Sequence, residues 1–200
     1  MIDREKFYSG YREKFGKLND SQKAGLEFIL EKLDSTDKFS LATEYAYILA
    51  TIKRETNATY QCVLEGYWIK GNRKKALYNY YQRNNPSALR TIFPYGWESN
   101  LTYEGRGRIQ TTHLFNCVKI KDKTGIDVVN NPDLLLDNEV DWKVLELGFY
   151  GLWTGRPLSR YINERQTDYY NARKVVNGLD HAQSIADDAM KFYTIINFRQ

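Results

Sequence analysis

Apolar residues recur at spacings of three and four in four stretches of the chain, and this period predicts amphipathic helices. The four stretches cover residues 21–33, 39–56, 138–153 and 181–198. Asp137 directly precedes the third stretch and suits a helix N-cap, and Asn131-Pro132-Asp133 just upstream is typical of a turn. Alternating, strand-like patterns are few and short. The pattern therefore predicts a mainly α-helical fold with at most a small β element.

The second stretch ends on a glutamate, Glu55, which continues the apolar stripe of its helix in the last turn before a break at Asn57. The other members of the stripe are Leu41, Tyr45, Ile48 and Ile52. Partial burial and the negative end of the helix dipole would both favour the protonated carboxyl group. A protonated Glu can serve as a general acid toward a glycosidic oxygen. The alternative is a Glu that pairs with Arg or Lys at the edge of the core.

A second carboxylate, Glu65, follows ten residues later, after a segment that passes through a turn. Glycoside hydrolysis usually needs two carboxyl groups: a separation of about 6.5–9.5 Å leads to inversion, and about 5–5.5 Å to retention. The spacing between Glu55 and Glu65 is compatible with either distance. An ordinary surface or cleft Glu is the alternative for Glu65, and Glu104 is a third carboxylate that competes for the same role.

A Gly-Arg-Gly turn leads into a polar strip in the middle of the chain. Gly105 and Gly107 permit a tight backbone path with close approach to a ligand or helix. Arg106 between them carries a rigid fork of donors that suits a carboxylate such as Glu55. If the strip is extended, its first two neutral polar side chains point in alternate directions, and all of them suit a sugar or an oriented water. These neutral side chains are Gln110, Thr112 and Asn116.

The composition narrows the class of ligand. The chain has 42% hydrophobic and 27% charged residues, a composition typical of globular proteins. Its net charge of +4 favours an acidic partner. Its sixteen Tyr offer flat faces with a hydroxyl group, suited to sugars or nucleobases as well as to core packing. Residues 66–97 contain Lys, Arg and aromatic residues but no Asp or Glu. This segment is interpreted as a cleft wall for an anionic polymer, a solvated face, or a nucleic-acid surface.

Other chemistries have little support in the sequence. His113 and His181 are the only histidines and have no metal-like spacing, so we expect no metal and no cofactor. Cys62 and Cys117 are too few for a disulfide framework and are expected to be reduced. A thiol nucleophile partnered by His113 is the alternative to simple packing of these cysteines. No P-loop and no Gly-x-Ser-x-Gly turn is present.

The N-terminus is charged and lacks a following apolar run, so no signal peptide is expected, and no stretch approaches the ~18 apolar residues of a membrane span. Two hundred residues without a low-complexity linker suggest one catalytic domain over residues 1–200 with no separate wall-binding module.

The polar strip resembles the signature of glycoside hydrolase family 19 chitinases and of their phage endolysin relatives. The matching positions are Tyr103, Gly105, Arg106, Gly107, Gln110, Thr112 and Asn116. Upstream, Arg54-Glu55-Thr56 and residues 59–65 are similar to the family's catalytic helix end. Downstream, similar segments cover residues 125–134, 153–155 and 171–178. The resemblance extends over about residues 20–197, and the order of these separated motifs makes it more specific than Gly-Arg-Gly alone.

The resemblance implies a lysozyme-like, two-lobed helical fold with a substrate cleft. It implies Glu55 as general acid, Glu65 as the second carboxylate, and Thr112 as a holder of the attacking water. The implied substrate-binding residues are Tyr103, Arg106, Gln110, Asn116, Arg173 and Asn177. Of these, the two arginines would shape the site electrostatically. Arg54 replaces the family's His, and if it turned inward it would favour the ionised form of Glu55.

These expectations describe an endolysin-like glycosidase that cuts β-1,4 links of peptidoglycan. Its partner would be the glycan strand, without nucleic acid or stable membrane insertion, and it would act as a monomer. It would accumulate in the host cytoplasm and reach the wall through a membrane lesion, or be carried in a virion. The alternatives are a chitinase and a non-catalytic sugar-binding or virion structural protein.

Overall fold

Helices dominate the computed structural model, which describes residues 1–198. The helices are α1 (Arg4–Phe15), α2 (Asp20–Ser35), α3 (Ala42–Glu55), α4 (Arg73–Asn84), α5 (Pro86–Ile92), α6 (Leu114–Thr124), α7 (Asn138–Phe149), α8 (Tyr169–Ala172) and α9 (Ala182–Ile195). The strands are β1 (Val63–Leu64), β2 (Arg106–Gly107), β3 (Ile162–Asn163) and β4 (Gln166–Thr167). Short 3-10 turns cover Pro132–Leu136, Leu158–Arg160 and Arg173–Val175. The prediction of a mainly helical chain with a small β content is confirmed.

Each of the four predicted helices is present with shifted ends, as α2, α3, α7 and α9. Asp137 caps α7 as expected, because its Oδ1 accepts hydrogen bonds from the N–H groups of Glu139 and Val140 at 2.9 and 3.0 Å. Within residues 1–198 the pattern missed α1, α4, α5, α6 and α8. The buried faces of α1 and α4 are narrow: Phe7 and Tyr11 in α1 and Leu77 in α4. So few buried residues leave no clear period in the sequence.

Helix α3 ends where its sequence predicts. Thr56 follows the last helical residue, and its N–H and hydroxyl groups both donate to the carbonyl of Ile52, at 3.0 and 2.8 Å. The next two residues, Asn57 and Ala58, have φ of +50° and +59°, which is left-handed backbone that a right-handed helix cannot continue. Glu55 is thereby held in the final turn.

The chain divides into two compact units. The terminal unit comprises Met1–Gln61 together with the chain from Leu145 onward, and the middle unit comprises Cys62–Val144. Helix α7 crosses the boundary between them. That residues 1–200 act as one catalytic domain stays a prediction.

The core of the terminal unit forms around α3, in which every residue from Glu44 to Ile52 is buried. Helix α9 packs against it and buries its apolar face, which includes Ile185, Ala189 and Phe192. Lys53 of α3 and Asp188 of α9 form an ion pair of 2.7 Å beside this contact. Each fully buried Ile or Phe contributes roughly 1.5–3 kcal/mol to folding, so the two helices are firmly joined.

The middle unit has its own small core and a short antiparallel sheet. Leu77, Ile92 and Phe93 form the buried centre between α4 and α5. Strand β1 pairs with β2 in the register Val63 to Gly107 and Leu64 to Arg106. This pairing fixes the Gly-Arg-Gly turn against the segment that contains Glu65.

Candidate active site

Glu55 lies half-buried in the terminal unit, with its side chain 17% exposed at the end of α3. Its Oε1 accepts a hydrogen bond of 2.6 Å from Nη1 of Arg173, which is 118 residues further along the chain. Its Oε2 makes no hydrogen bond to any residue between 1 and 198. The pairing with an Arg that the alternative hypothesis predicted is therefore present, and it leaves one carboxyl oxygen accessible for chemistry.

Arg173 itself is buried and held from a second side. Its Nε donates at 3.0 Å to the backbone carbonyl of Asp180, in the turn that follows Asn177. Its guanidinium group thereby fixes the orientation of the Glu55 carboxyl group. The expectation that Arg106 would hold Glu55 is wrong, because Arg106 bonds to carboxylates of its own unit and Arg173 takes the place at Glu55.

Arg54, which replaces the family's His, does not turn inward. It is exposed, and its Nη2 lies 2.8 Å from Nε2 of His181. Asn177 is also exposed, and its Oδ1 accepts from the N–H of Gly178 at 2.8 Å. The amide nitrogen of Asn177 therefore remains available at the surface of the same turn that holds Arg173.

Glu65 belongs to the middle unit, where both of its carboxyl oxygens are held. Oε1 accepts from the hydroxyl group of Tyr81 at 2.7 Å, and Oε2 accepts from the N–H of Gly105 at 2.8 Å. Burial and the nearby Glu65 carboxylate raise the pKa of Tyr81, so this phenol stays a donor. Two donors orient Glu65 as a hydrogen-bond acceptor. Sequence reasoning missed Tyr81, and only its place in the aromatic segment 66–97 marked it.

Glu104, the competing carboxylate, is fully buried in an ionic cluster of the middle unit. Nη2 of Arg73 lies 2.7 Å from its Oε1, and Nη1 of Arg106 lies 3.4 Å from its Oε2. Burial alone would raise the pKa of Glu104, but the charge of Arg106 and the hydrogen bond from Arg73 outweigh it, and the pKa is lowered. A buried carboxylate that holds no proton is unsuited to acid catalysis, so Glu104 is a structural anion.

The polar strip is a closed turn, and the expectation of an extended strip with alternating side chains is wrong. Arg106 and Thr111 exchange both backbone hydrogen bonds, at 3.0 and 2.8 Å, which folds residues 107–110 into a loop. Gln110 has a φ of +50°, and its Nε2 donates at 3.0 Å to the carbonyls of Val63 and Gly107. Its amide therefore closes the loop.

Thr112 and Asn116 lie directly after this loop. The hydroxyl group of Thr112 donates to the carbonyl of Gln110 at 2.8 Å, and Nδ2 of Asn116 donates to the carbonyl of Thr112 at 2.8 Å. Both side chains are partly exposed. The hydroxyl lone pairs of Thr112 and the carbonyl oxygen of Asn116 remain able to accept from water or a sugar.

Tyr103 and Arg106, also predicted to bind substrate, are nearly inaccessible, with 2% of each residue exposed. The hydroxyl group of Tyr103 donates to the carbonyl of Val129 at 2.9 Å. Nε of Arg106 donates to Oδ1 of Asp133 at 2.9 Å. The first bond supports the backbone around the strip, and the second joins the strip to the turn that contains Pro132.

The loop is anchored by a buried ion pair that sequence reasoning missed. Nη1 of Arg108 lies 2.8 Å from Oδ2 of Asp141 in α7, and the N–H of Arg108 donates to Oδ1 of the same carboxylate at 2.9 Å. Gly107 has a φ of +82°, and an added Cβ would collide with Oδ1 of Asp141. The second Gly of the motif is therefore required by both backbone conformation and space.

The thiols and histidines do not form a nucleophilic pair. Cys62 contacts Arg108 and Asn138, and His113 contacts the hydroxyl group of Thr91 at 2.8 Å. Both cysteines are free, and burial raises the pKa of Cys117 to about 11. Within residues 1–198, no three His, Cys, Asp or Glu side chains cluster as metal ligands. Over the same range, no helix has both the length and the apolar character of a membrane span.

Comparisons with known proteins relate this fold to chitinases. No family model matches the chain, and no curated protein matches it. The structure of chitinase C from Streptomyces griseus HUT6037 aligns with a TM-score of 0.51 and 21% identity, over 94% of this chain and 75% of that chain. A mutant of chitinase C aligns with a TM-score of 0.53 and 21% identity, again over 94% of this chain and 75% of that chain. A bacterial family 19 chitinase aligns with a TM-score of 0.46 and 18% identity, over 96% of this chain and 95% of that chain.

The similarity to chitinase C shows the fold. The chain has the mainly α-helical, lysozyme-like fold of these chitinases, as the resemblance of its motifs implied. The relation to phage endolysins, the substrate and the roles of the site residues stay predictions.

Proposed function

We propose that this protein is a glycoside hydrolase that cuts β-1,4 links between the amino sugars of peptidoglycan, with Glu55 as the general acid. The observation that carries the proposal is the state of this carboxyl group. It is half-buried at a helix C-terminus, and one oxygen is fixed by Arg173 while the other has no partner among the residues described. A proton on the second oxygen would face a leaving group, because the first oxygen keeps the carboxyl group oriented.

Glu65 is the second carboxylate of the proposal. Donors from Tyr81 and Gly105 hold it as an acceptor, which suits a base that orients a water or a carboxylate that stabilises a developing cation. Thr112 would help to hold the water through its hydroxyl lone pairs. Asn116 and Asn177 would bind sugar groups, whereas Tyr103 and Gln110 would support the loop.

Chitin is the second candidate substrate, because the solved structures with the same fold carry the name chitinase. The net charge of +4 favours peptidoglycan, since chitin is a neutral polymer and the wall glycan carries carboxylates. The protein would reach this substrate from the host cytoplasm through a membrane lesion, or as part of a virion.

The decisive experiment digests purified peptidoglycan and chitin separately and analyses the reduced fragments by mass spectrometry. We expect new reducing ends from peptidoglycan, which identify a hydrolysed glycosidic bond and the sugar that carries it. Fragments from chitin alone would favour the second candidate. A 1,6-anhydro sugar would identify a lytic transglycosylase and contradict hydrolysis.

The variant Glu55→Gln tests the role of the acid in the same assay. We expect the rate to fall at least about 10³-fold, because the amide cannot donate the proton that the leaving oxygen needs. The exposed Glu31→Gln on α2 is the control and should keep full activity. Equal activity of wild type and Glu55→Gln would contradict the assignment. A folded wild type that degrades neither polymer would favour a non-catalytic sugar-binding protein.

A further inference from the structure

A cavity in the middle unit is lined by an excess of positive charge and is separate from the residues of the proposed catalysis. Its volume is about 270 Å³, and its charged lining consists of Arg73, Lys74, Arg106 and Asp133. The neutral lining includes Asn100 and the two Asn that precede Pro132. Such a volume can hold a chemical group of a few heavy atoms together with the water molecules that hydrate it.

The guanidinium groups at this cavity are fixed from behind. Glu104, which is fully buried, bonds to Arg73 at 2.7 Å and lies 3.4 Å from Arg106. A second donor of Arg73 bonds to the carbonyl of Glu65 at 2.8 Å. The two arginines therefore present their charges in a set geometry, without the entropic cost of ordering long side chains upon binding.

Some donors at the cavity have no partner in the described part of the chain. Nη2 of Arg106 makes no hydrogen bond to residues 1–198, although Nε and Nη1 of the same group are bonded. Nζ of Lys74 donates to the carbonyl of Ser99 at 3.0 Å, and an ammonium group has two further donors. These donors suit an acceptor that carries negative charge.

Asp133 indicates which kind of anion fits. Its carboxylate lies on Nε of Arg106 at 2.9 Å, while its side chain is 70% exposed. An exposed carboxylate bound to a buried guanidinium group is readily exchanged for one from a ligand, since water solvates the displaced group. Once Asp133 is displaced, Glu104 set against Arg73, Lys74 and Arg106 leaves a local charge of +2, and a ligand carboxylate would replace one negative charge with another.

We propose that this cavity is a binding site for a carboxylate group. A ligand carboxylate would bind Arg106 and Lys74 and displace Asp133. The site would give this protein a preference for sugars or peptides that bear carboxylates over neutral glycans. The inference concerns binding, so its test does not depend on the proposed hydrolysis.

The test follows the Nε–Hε resonance of Arg106 by ¹⁵N NMR during titration at low ionic strength. N-acetylmuramic acid and N-acetylglucosamine form a matched pair of probes, because they differ by a lactyl group that carries a carboxylate. We expect the first to shift the resonance in a saturable manner and the second to leave it in place. Equal shifts with both sugars would overturn the proposal. Tighter binding of inorganic phosphate would also overturn it, because the site would then be one for a different anion.

Sodium D-lactate separates two sources of the same chemistry. If lactate binds as tightly as N-acetylmuramic acid, the site recognises the carboxylate alone. If lactate binds more weakly, the site recognises a carboxylate that is carried on a sugar. Both results support a carboxylate site, and the absence of binding by either probe contradicts it.

Two surface variants test the residues. Asp133→Asn removes the internal competitor, and we expect the dissociation constant to fall about three- to tenfold. Lys74→Gln removes one cation, and we expect a rise of about the same factor. Lys75→Gln, one residue further on α4 with its ammonium group over the Trp97 ring, is the matched control without effect. Weaker binding by Asp133→Asn, or equal losses in Lys74→Gln and Lys75→Gln, would overturn the assignment.

Discussion

Two carboxylate–arginine clusters, one in each unit, use the same residue types for different ends. In the terminal unit, Glu55 has a single guanidinium partner and one accessible oxygen. In the middle unit, Glu104 is fully buried between two guanidinium groups. The difference is the balance of charge and access: Glu55 has one cationic partner and is partly exposed, whereas the cations beside the fully buried Glu104 lower its pKa.

The largest expected effect is on stability, from Glu104→Gln. Removal of this charge leaves Arg73 and Arg106 facing each other without the anion between them. Loss of one partner from a buried ion pair costs about 3–5 kcal/mol, and we expect a decrease of that size in the free energy of unfolding in urea. The exposed Glu98→Gln of the same unit is the control. An unchanged unfolding midpoint would show that the two clusters do not differ as proposed.

The next effect concerns Arg173, the single partner of Glu55. Arg173→Ala should lower kcat about 10²-fold with a smaller change in KM, because the carboxyl group loses its orientation in the transition state. Arg173→Lys keeps the charge but not both hydrogen bonds, so we expect an intermediate kcat. Steady-state kinetics on a soluble glycan measure both constants. A rise in KM with an unchanged kcat would instead assign Arg173 to substrate binding.

A smaller effect is expected at Glu65, the third carboxylate of the comparison. Tyr81→Phe removes one of its two donors while the ring stays in place. A single hydrogen bond to a charged group contributes about 1.5–3 kcal/mol, part of which water replaces here. We therefore expect kcat to fall about three- to tenfold. Tyr80→Phe, the exposed neighbour, is the control. Equal kinetics of both variants would show that the hydrogen bond from Tyr81 contributes nothing to the role of Glu65.

The smallest effect is the dependence of stability on acid. Burial by itself would raise the pKa of Glu104, but the charge of Arg106 and the hydrogen bond from Arg73 lower it below its ordinary value. A lowered pKa in the folded state adds stability above the unfolded-state pKa of about 4.3, and this part is lost as the pH falls through the folded-state pKa. Urea unfolding between pH 6 and pH 2.5 should show a steeper loss in wild type than in Glu104→Gln. Parallel curves would contradict an ionised Glu104.

The two units also differ in how well their structure follows from local sequence. Helix α3 was predictable because its apolar stripe is long and regular, and its end was marked by residues that adopt left-handed backbone. The polar strip was not, because its conformation depends on the positive φ of Gln110 and on the buried bond from Arg108 to Asp141, 33 residues away. A short loop closed by distant side chains carries no periodic signal.

By itself, the sequence determined the helical stripes, the position of Glu55 in a last helical turn and the resemblance of the polar strip to a chitinase signature. The tertiary structure decided which charges meet. Arg173 reaches Glu55 across 118 residues, while Arg106, the partner expected from the motif, bonds to Glu104 and Asp133. The physical reason is that periodicity depends on neighbouring residues, whereas ion pairs depend on distances that only the folded chain sets.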